Sequence, residues 1–333
     1  MFPIRNGQIT CSPFSFIHCK TDNDHRDRTS LPGKHYIHRT FSLSNSYTPT
    51  CRKRSPCHLS TMSSPVSLPR ESPLLTVTHP KPSLWIIELH SGVDNRLTHD
   101  LIKKGIMPAL DIVEREWREQ RWVALERKKI EESKGALIIV GKRDQDKFFS
   151  NGLDFANSSM DPNFFQLTFD PMLIRLLAFP IPTIAAINGH CYAGGFMLSL
   201  ACDYRVMADG SSRNAWLCMN EVHFGAPWPW SFTTILSAKI GDHRLQRKIA
   251  LEGHRFTPQE ALQDGILDYL VKGKTADVLA KAEEIADKFS GNACHGVWGL
   301  IRLNLHHNVL ETVQKDYRLP NPITDDAAAR SKL

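Results

Sequence analysis

The segment that most limits how this chain can fold is FMLSLAC at residues 196–202, which holds no charged residue and is apolar in every direction when wound as a helix. A helix without a polar face has nothing to show to water and must be enclosed by other elements. It follows Gly194-Gly195 and lies between two short apolar runs, TIAAI (Thr183–Ile187) and YRVMA (Tyr204–Ala208), each suited to a buried strand. Two further runs of this kind, LWIIEL (Leu84–Leu89) and ALIIV (Ala136–Val140), flank a long helical pattern from residue 98 to about 128. Strand, helix, strand implies parallel pairing. An amphipathic helix is predicted over Thr275–Phe289, stopped at Ser290-Gly291. Alternating strands and helices predict an α/β domain of about 245 residues, roughly 75–320, with no internal repeat.

Charge narrows the partners. The 333 residues carry 41 Lys and Arg against 35 Asp and Glu, a formal charge of +6. Residues 1–73 hold ten of the bases and four of the acids, which leaves 31 against 31 in the rest. A neutral body offers no electrostatic footprint for a phosphate backbone, so no nucleic-acid partner is expected. The longest near-continuous apolar stretch, residues 179–187, is broken by Pro180, Pro182 and Thr183. It falls far short of the roughly 20 residues of a membrane span.

Within residues 1–73, Ser, Thr and Pro fill 27 positions and no apolar period is sustained. Two readings stay open: a disordered leader, with faint features of a mitochondrial transit peptide, or an extension upstream of a true start at Met62. The Cys and His of this stretch lack zinc-ligand spacing, no C-x-x-C occurs anywhere, and reduced cysteines are expected. No metal site is expected. Beyond a catalytic core at 75–275 and a helical region at 276–320, a tail at 321–333 ends in Ser331-Lys332-Leu333. That tripeptide is read at a chain end by the peroxisomal import receptor, so the peroxisomal matrix is expected, with mitochondria as the alternative.

Two glycine-bearing turns follow successive predicted strands, FFSNGLD at 148–154 and NGHCYAGG at 188–195. Each could aim backbone N–H groups inward, and the second opens the buried helix, whose positive dipole end would face developing negative charge. The glycines could equally just close turns, since neither segment matches GxGxxG or a Walker loop. His190 and Cys191, adjacent at a strand end, point to opposite sides and are assigned structural roles. Asp203 is expected to cap or pair near the end of the buried helix, and Trp228-Pro229-Trp230 to line either a pocket or the core.

Read together, FFSNGLD, NGHCYAGGFMLSLACDYRVMAD and MNEV at 219–222, followed by Gly253, Glu260-Ala261 and Gly265-Ile266, resemble the crotonase superfamily of enoyl-CoA hydratases and isomerases. The resemblance covers residues 80 to about 300. NEVHFGAPWP and the segment after it are most similar to the Δ3,Δ2-enoyl-CoA isomerases. It implies a crotonase-like spiral of ββα units with a C-terminal helical trimerisation region, a homotrimer or hexamer, and a role in fatty acid β-oxidation. An acyl-CoA thioester would be the substrate, with no cofactor beyond the coenzyme A that it carries.

Carried over by position, the resemblance implies an oxyanion hole from the backbone N–H groups of Leu153 and Gly194, and substrate contacts at Arg96, Leu97, Asn151, Leu153 and Gly194. Hydratases of the superfamily use two glutamates, one on the buried helix and one on the following loop. Here the helix position is Met197 and the loop position is Glu221. One carboxylate suits a proton shuttle from C2 to C4 of a 3-enoyl-CoA, giving trans-2-enoyl-CoA. Where dienoyl-CoA isomerases carry an Asp, this chain has Pro229. The alternatives are hydration, thioester hydrolysis or a non-catalytic acyl-CoA-binding scaffold. An apolar neighbourhood from Phe224, Trp228 or Trp230 would raise the pKa of Glu221. Arg96, Lys142 and Arg143 are candidates for CoA phosphates, each also readable as a solvated surface charge.

Overall fold

Two sheets are threaded by the same run of chain. In the computed structural model, which describes residues 64–315, 319 and 321–331, strands β1 (Val66–Leu68), β2 (Leu75–Lys81), β3 (Leu84–Leu89), β4 (Ala136–Val140), β6 (Thr183–Ile187), β8 (Tyr204–Ala208) and β10 (Tyr269–Val271) build a seven-stranded sheet. Strands β5 (Phe148–Ser150), β7 (His190–Tyr192) and β9 (Leu217–Cys218) build a three-stranded one. The order in the large sheet is β1-β2-β3-β4-β6-β8-β10, antiparallel through β1, β2 and β3 and parallel from β3 onward. The chain gives β4 to the large sheet and β5 to the small, then β6 and β7, then β8 and β9, so successive units coil alongside one another. This is the spiral of ββα units that the sequence implied.

Both faces of the large sheet are covered, as a parallel sheet requires. Alternation along each strand sends Trp85, Ile87, Leu137, Ile139, Ala185 and Ile187 into the main core. Their neighbours Leu84, Ile86, Ala136, Ile138, Ile184 and Ala186 face the other way. Helix α1 (Met107–Glu126), entered through a π-helical turn at Leu101–Ile106, packs Leu110, Val113 and Trp117 into the main core. The single turn α2 (Phe155–Ser158), then α3 (Asp170–Leu177), lead to α4 (Gly194–Ala201). All eight residues of α4 are buried, as its sequence demanded. Helices α5 (Trp230–Lys239), α6 (His243–Ala250) and α7 (Pro258–Gln263) follow. Helix α8 (Thr275–Phe289) closes the second face with Val278, Leu279, Ala282, Ile285 and Ala286.

Three sequence expectations change. Val66–Leu68, placed inside the 1–73 leader, pair with Leu75–Val77, because the Ser and Pro around them mask a strand too short to show a period. Residues 1–63 lie outside the described residues, and so do Lys332 and Leu333. The boundary between core and helical region at 275/276 cuts through the start of α8, whose apolar face is part of the core. The tail contains a helix, α11 (Pro322–Arg330), with no buried residue, while α9 (Trp298–Leu305) and α10 (His307–Val313) precede it.

Asp203 does pair, as expected. Its Oδ1 lies 3.0 Å from Nε of the buried Arg302, and its Oδ2 accepts from the Thr183 N–H and hydroxyl at 2.8 and 2.9 Å. Arg302 also donates to the Ala201 and Phe179 carbonyls, and Lys239 donates to the Cys202 carbonyl. Cations thus satisfy the C-terminal carbonyls of α4 and fix its axis.

Candidate active site

The three strands of the small sheet run parallel, so their C-terminal ends lie side by side. The chain leaves β5 at Ser150, β7 at Tyr192 and β9 at Cys218, and within three residues of each exit stand Leu153, Gly194 and Glu221. A cavity of about 740 Å³ opens at this edge, with Leu153, Ala193, Asn220 and Glu221 in its wall.

The first two loops are pressed together. Gly152 has φ +84°, and a Cβ there would stand 2.7 Å from Ala193 Cβ, 2.9 Å from the Tyr192 carbonyl and 3.2 Å from the Gly194 nitrogen. The position therefore needs glycine on both conformational and steric grounds. Leu97 pairs with this loop: its N–H donates to the Gly152 carbonyl at 2.8 Å, and the Leu153 N–H makes no hydrogen bond among the described residues. Gly194 opens α4, where an N–H has no intrahelical acceptor, and no side chain caps that end. Ala193 before it holds φ +50°, ψ −122°, a strained conformation for an L-residue. Leu153 and Gly194 thus bring two unclaimed N–H groups to adjoining loops.

Glu221 begins a single 3₁₀ turn, Glu221–Phe224, and is 7% exposed. Burial pushes its carboxyl from 4.5 up to about 7, opposed by its own backbone N–H and by the Trp228 indole. Its Oε2 is buried with no hydrogen-bond partner among the described residues. Of the aromatic neighbours expected from the sequence, Trp228 packs on the core beside Phe232 and faces the carboxylate, and Phe224 lines the cavity, edge-on to Phe155 at 5.3 Å. Trp230 is 40% exposed and stands outside the cavity wall.

The second carboxylate lining this cavity, Asp161, is tied to His99 at 2.9 Å and held below its ordinary value by that bond. Met197 is fully buried in the core. An ionisable group free to exchange a proton with a bound molecule is therefore supplied by Glu221. Cys191 is buried with its thiol raised to about 12, and His190 stacks on Tyr192, so they form no nucleophile and base. All four cysteines of the described residues are free. Among those residues no group of three His, Cys, Asp or Glu is placed to hold a metal ion, and no helix is long and apolar enough to cross a membrane.

Arg96 and Asn151 both line the cavity and share Asp94, whose Oδ2 accepts from Arg96 Nε at 3.0 Å and Asn151 Nδ2 at 2.9 Å. Leu97 differs from this pair: its side chain is fully buried and borders a neighbouring cavity, so only its backbone serves the site. Arg143 is paired with Glu88 and Lys142 with Asp144, which makes them surface ion pairs. The sequence reading missed Phe155, Phe165, Phe232, Tyr192, Asn220 and Arg255 in the cavity wall, Leu319 from the end of the helical region, and Asn321 and Pro322 from the segment read as a tail. They come from separate elements, and no periodicity connects them. Asn220, inside the Met219-Asn220-Glu221 motif, and Tyr192, inside the second glycine turn, were the nearest to a signal.

Comparison with known proteins agrees with this geometry. The family profile described as enoyl-CoA hydratase/isomerase matches residues 113–309. Enoyl-CoA delta isomerase 3 of Arabidopsis thaliana is 32% identical over 197 residues, 57% of this chain and 81% of its own. The peroxisomal enoyl-CoA delta isomerase 2 of the same plant is 32% identical over 192 residues, 55% of this chain and 78% of its own. Among solved structures, an enoyl-CoA hydratase/isomerase family protein from Pseudomonas syringae superposes with a TM-score of 0.59 at 22% identity, over 72% of this chain and 95% of that one. The fold is the crotonase fold, and this chain belongs to the enoyl-CoA hydratase/isomerase family.

Proposed function

We propose that this protein isomerises 3-enoyl-CoA to trans-2-enoyl-CoA, with Glu221 as the proton shuttle. The observation that carries the reading is the buried Glu221 carboxyl at the cavity wall, poised near neutrality and with its Oε2 unpartnered among the described residues, with Met197 where a second acid would stand. Glu221 takes a proton from C2 of the thioester, and the electron pair delocalises over the thioester oxygen and the C3–C4 double bond. The same proton returns at C4, leaving the double bond between C2 and C3. A group with a pKa of about 7 serves both steps, since it is neither too weak a base nor too weak an acid at that pH. The Leu153 and Gly194 N–H groups would receive the developing oxyanion, an interaction worth several kcal/mol in such sites. Coenzyme A enters as part of the substrate.

Relatives named delta isomerase, at about 30% identity, support this reaction. Relatives named for peroxisomes and for mitochondria both occur, and the peroxisomal location is the one adopted here. A homotrimer or hexamer accords with the exposed apolar residues Leu300, Ile301 and Leu305 on α9. The test is turnover of cis-3-hexenoyl-CoA by the purified protein beside a hydration assay on trans-2-enoyl-CoA. Isomerisation without matching hydration is expected. Hydration faster than isomerisation, or binding without turnover, would overturn the proposal.

A further inference from the structure

Two aromatic rings meet at the mouth of the candidate active site, and neither takes part in the proton shuttle. Phe155 is the first residue of α2, the single turn that follows Leu153, and is 44% exposed. Phe224 is the last residue of the 3₁₀ turn that begins with Glu221, and is 50% exposed. Both line the cavity that holds Glu221, so they stand where it meets solvent. Their ring centroids are 5.3 Å apart with the planes at 73°, an edge-to-face contact. The contact ties the segment that carries Leu153 to the turn that carries Glu221.

Large apolar side chains left half in water gain little from burial, and one such ring contact favours the closed arrangement by no more than about tenfold. Gly225, next to Phe224, has φ +74° and no atom within 4 Å of where a Cβ would stand, so that end of the turn packs against nothing. The rings can therefore part for a ligand and close again. What they close over is sensitive to water. Trp228 faces the Glu221 carboxyl from the core, and Oε2 has no hydrogen-bond partner among the described residues. A water reaching that oxygen would satisfy it and exchange with solvent any proton the carboxyl is holding.

We propose that Phe155 and Phe224 form an aromatic gate that closes over Glu221 when acyl-CoA is bound, excluding water so that the proton taken from C2 is the one delivered to C4. The proposal rests on the isomerase reading and adds to it what keeps the proton from solvent. Its test is cis-3-hexenoyl-CoA carrying two deuterons at C2, turned over in ordinary water and sampled early. Retention gives a product with one deuteron at C2 and one at C4, whereas exchange on Glu221 puts protium at C4, and mass spectrometry separates the two products. The parent should give mostly the doubly labelled one. The ratio of singly to doubly labelled product should rise about tenfold in Phe224→Ala and in Phe155→Ala, and little further in the double variant, because losing either ring opens the mouth. Phe224→Tyr keeps the ring and should keep the parent ratio. Mostly single label in the parent, or a ratio that neither alanine moves, overturns the gate. If no thioester is isomerised, the function proposed above fails, and the gate is decided by carbon-13 NMR titration of Glu221 with hexanoyl-CoA bound. The carboxyl should titrate lower in Phe224→Ala than in the parent, and equal titration overturns the gate.

Discussion

Replacing Glu221 by Gln should make the protein more stable and nearly inactive, and the two effects share one cause. Burial lifts the carboxyl from 4.5 to about 7, so the folded protein keeps a proton that the unfolded chain has already released. The stability contributed by this group therefore falls as pH rises from 4.5 towards 7, and no further once both states are ionised. At about 1.4 kcal/mol per pH unit, the full penalty above pH 7 is roughly 3 kcal/mol. A neutral amide of the same size escapes it. Glu221→Gln should then melt about 8 °C higher than the parent at pH 8, with the gap closing towards pH 5. Asp170, also raised by burial, titrates in the same range but is present in both proteins and cancels in the difference. In the same buffers, isomerisation of cis-3-hexenoyl-CoA should drop by about 10²–10⁴. The parent's kcat/KM should rise with pH through about 7 as the base ionises. Parallel melting curves across that range would show the carboxylate to be solvated, and undiminished turnover would remove it from the reaction.

Other substitutions test the frame around it. Gly152→Ala puts a Cβ 2.7 Å from Ala193 Cβ at a residue with φ +84° and should cost about 3 kcal/mol. By parting the Leu153 and Gly194 loops it should also lower kcat more than a hundredfold, and a small change in kcat would separate those N–H groups from catalysis. Ala193→Gly relieves the strained φ of +50° and should stabilise by about 1 kcal/mol in urea unfolding; destabilisation would mean that the conformation is unstrained. Arg302→Met leaves Asp203 without its buried partner and uncaps the Ala201 carbonyl, so a loss of about 3 kcal/mol is expected. Wild-type stability in that variant would show the ion pair to be dispensable.

Much of the fold could be read from residue patterns because each element satisfies its own local rule. The runs at 84–89, 136–140, 183–187 and 204–208 are strands with those bounds, and 275–289 is a helix, since a buried strand or an amphipathic helix writes its burial into consecutive residues. The strands at 66–68, 148–150, 190–192 and 217–218 were not legible as strands. Two or three residues carry no period, and their pairing is decided by neighbours far away in the chain. Glu221 was legible only through its motif and the absence of a partner acid at Met197. Its environment was not, because Trp228 reaches it from beyond the turn that holds it.

Local chemistry alone determined that residues 196–202 had to be enclosed, and the motifs around them pointed, through their resemblance, to Leu153, Gly194 and Glu221. Only the tertiary structure decided what those features do together. Parallel pairing of three short strands brings their exits to one edge, which sets Leu153 and Glu221 in the wall of one cavity and Gly194 against Leu153. The same packing excludes water from Glu221 and so moves its proton affinity towards neutrality, a property of the surrounding dielectric that no residue carries in its own identity.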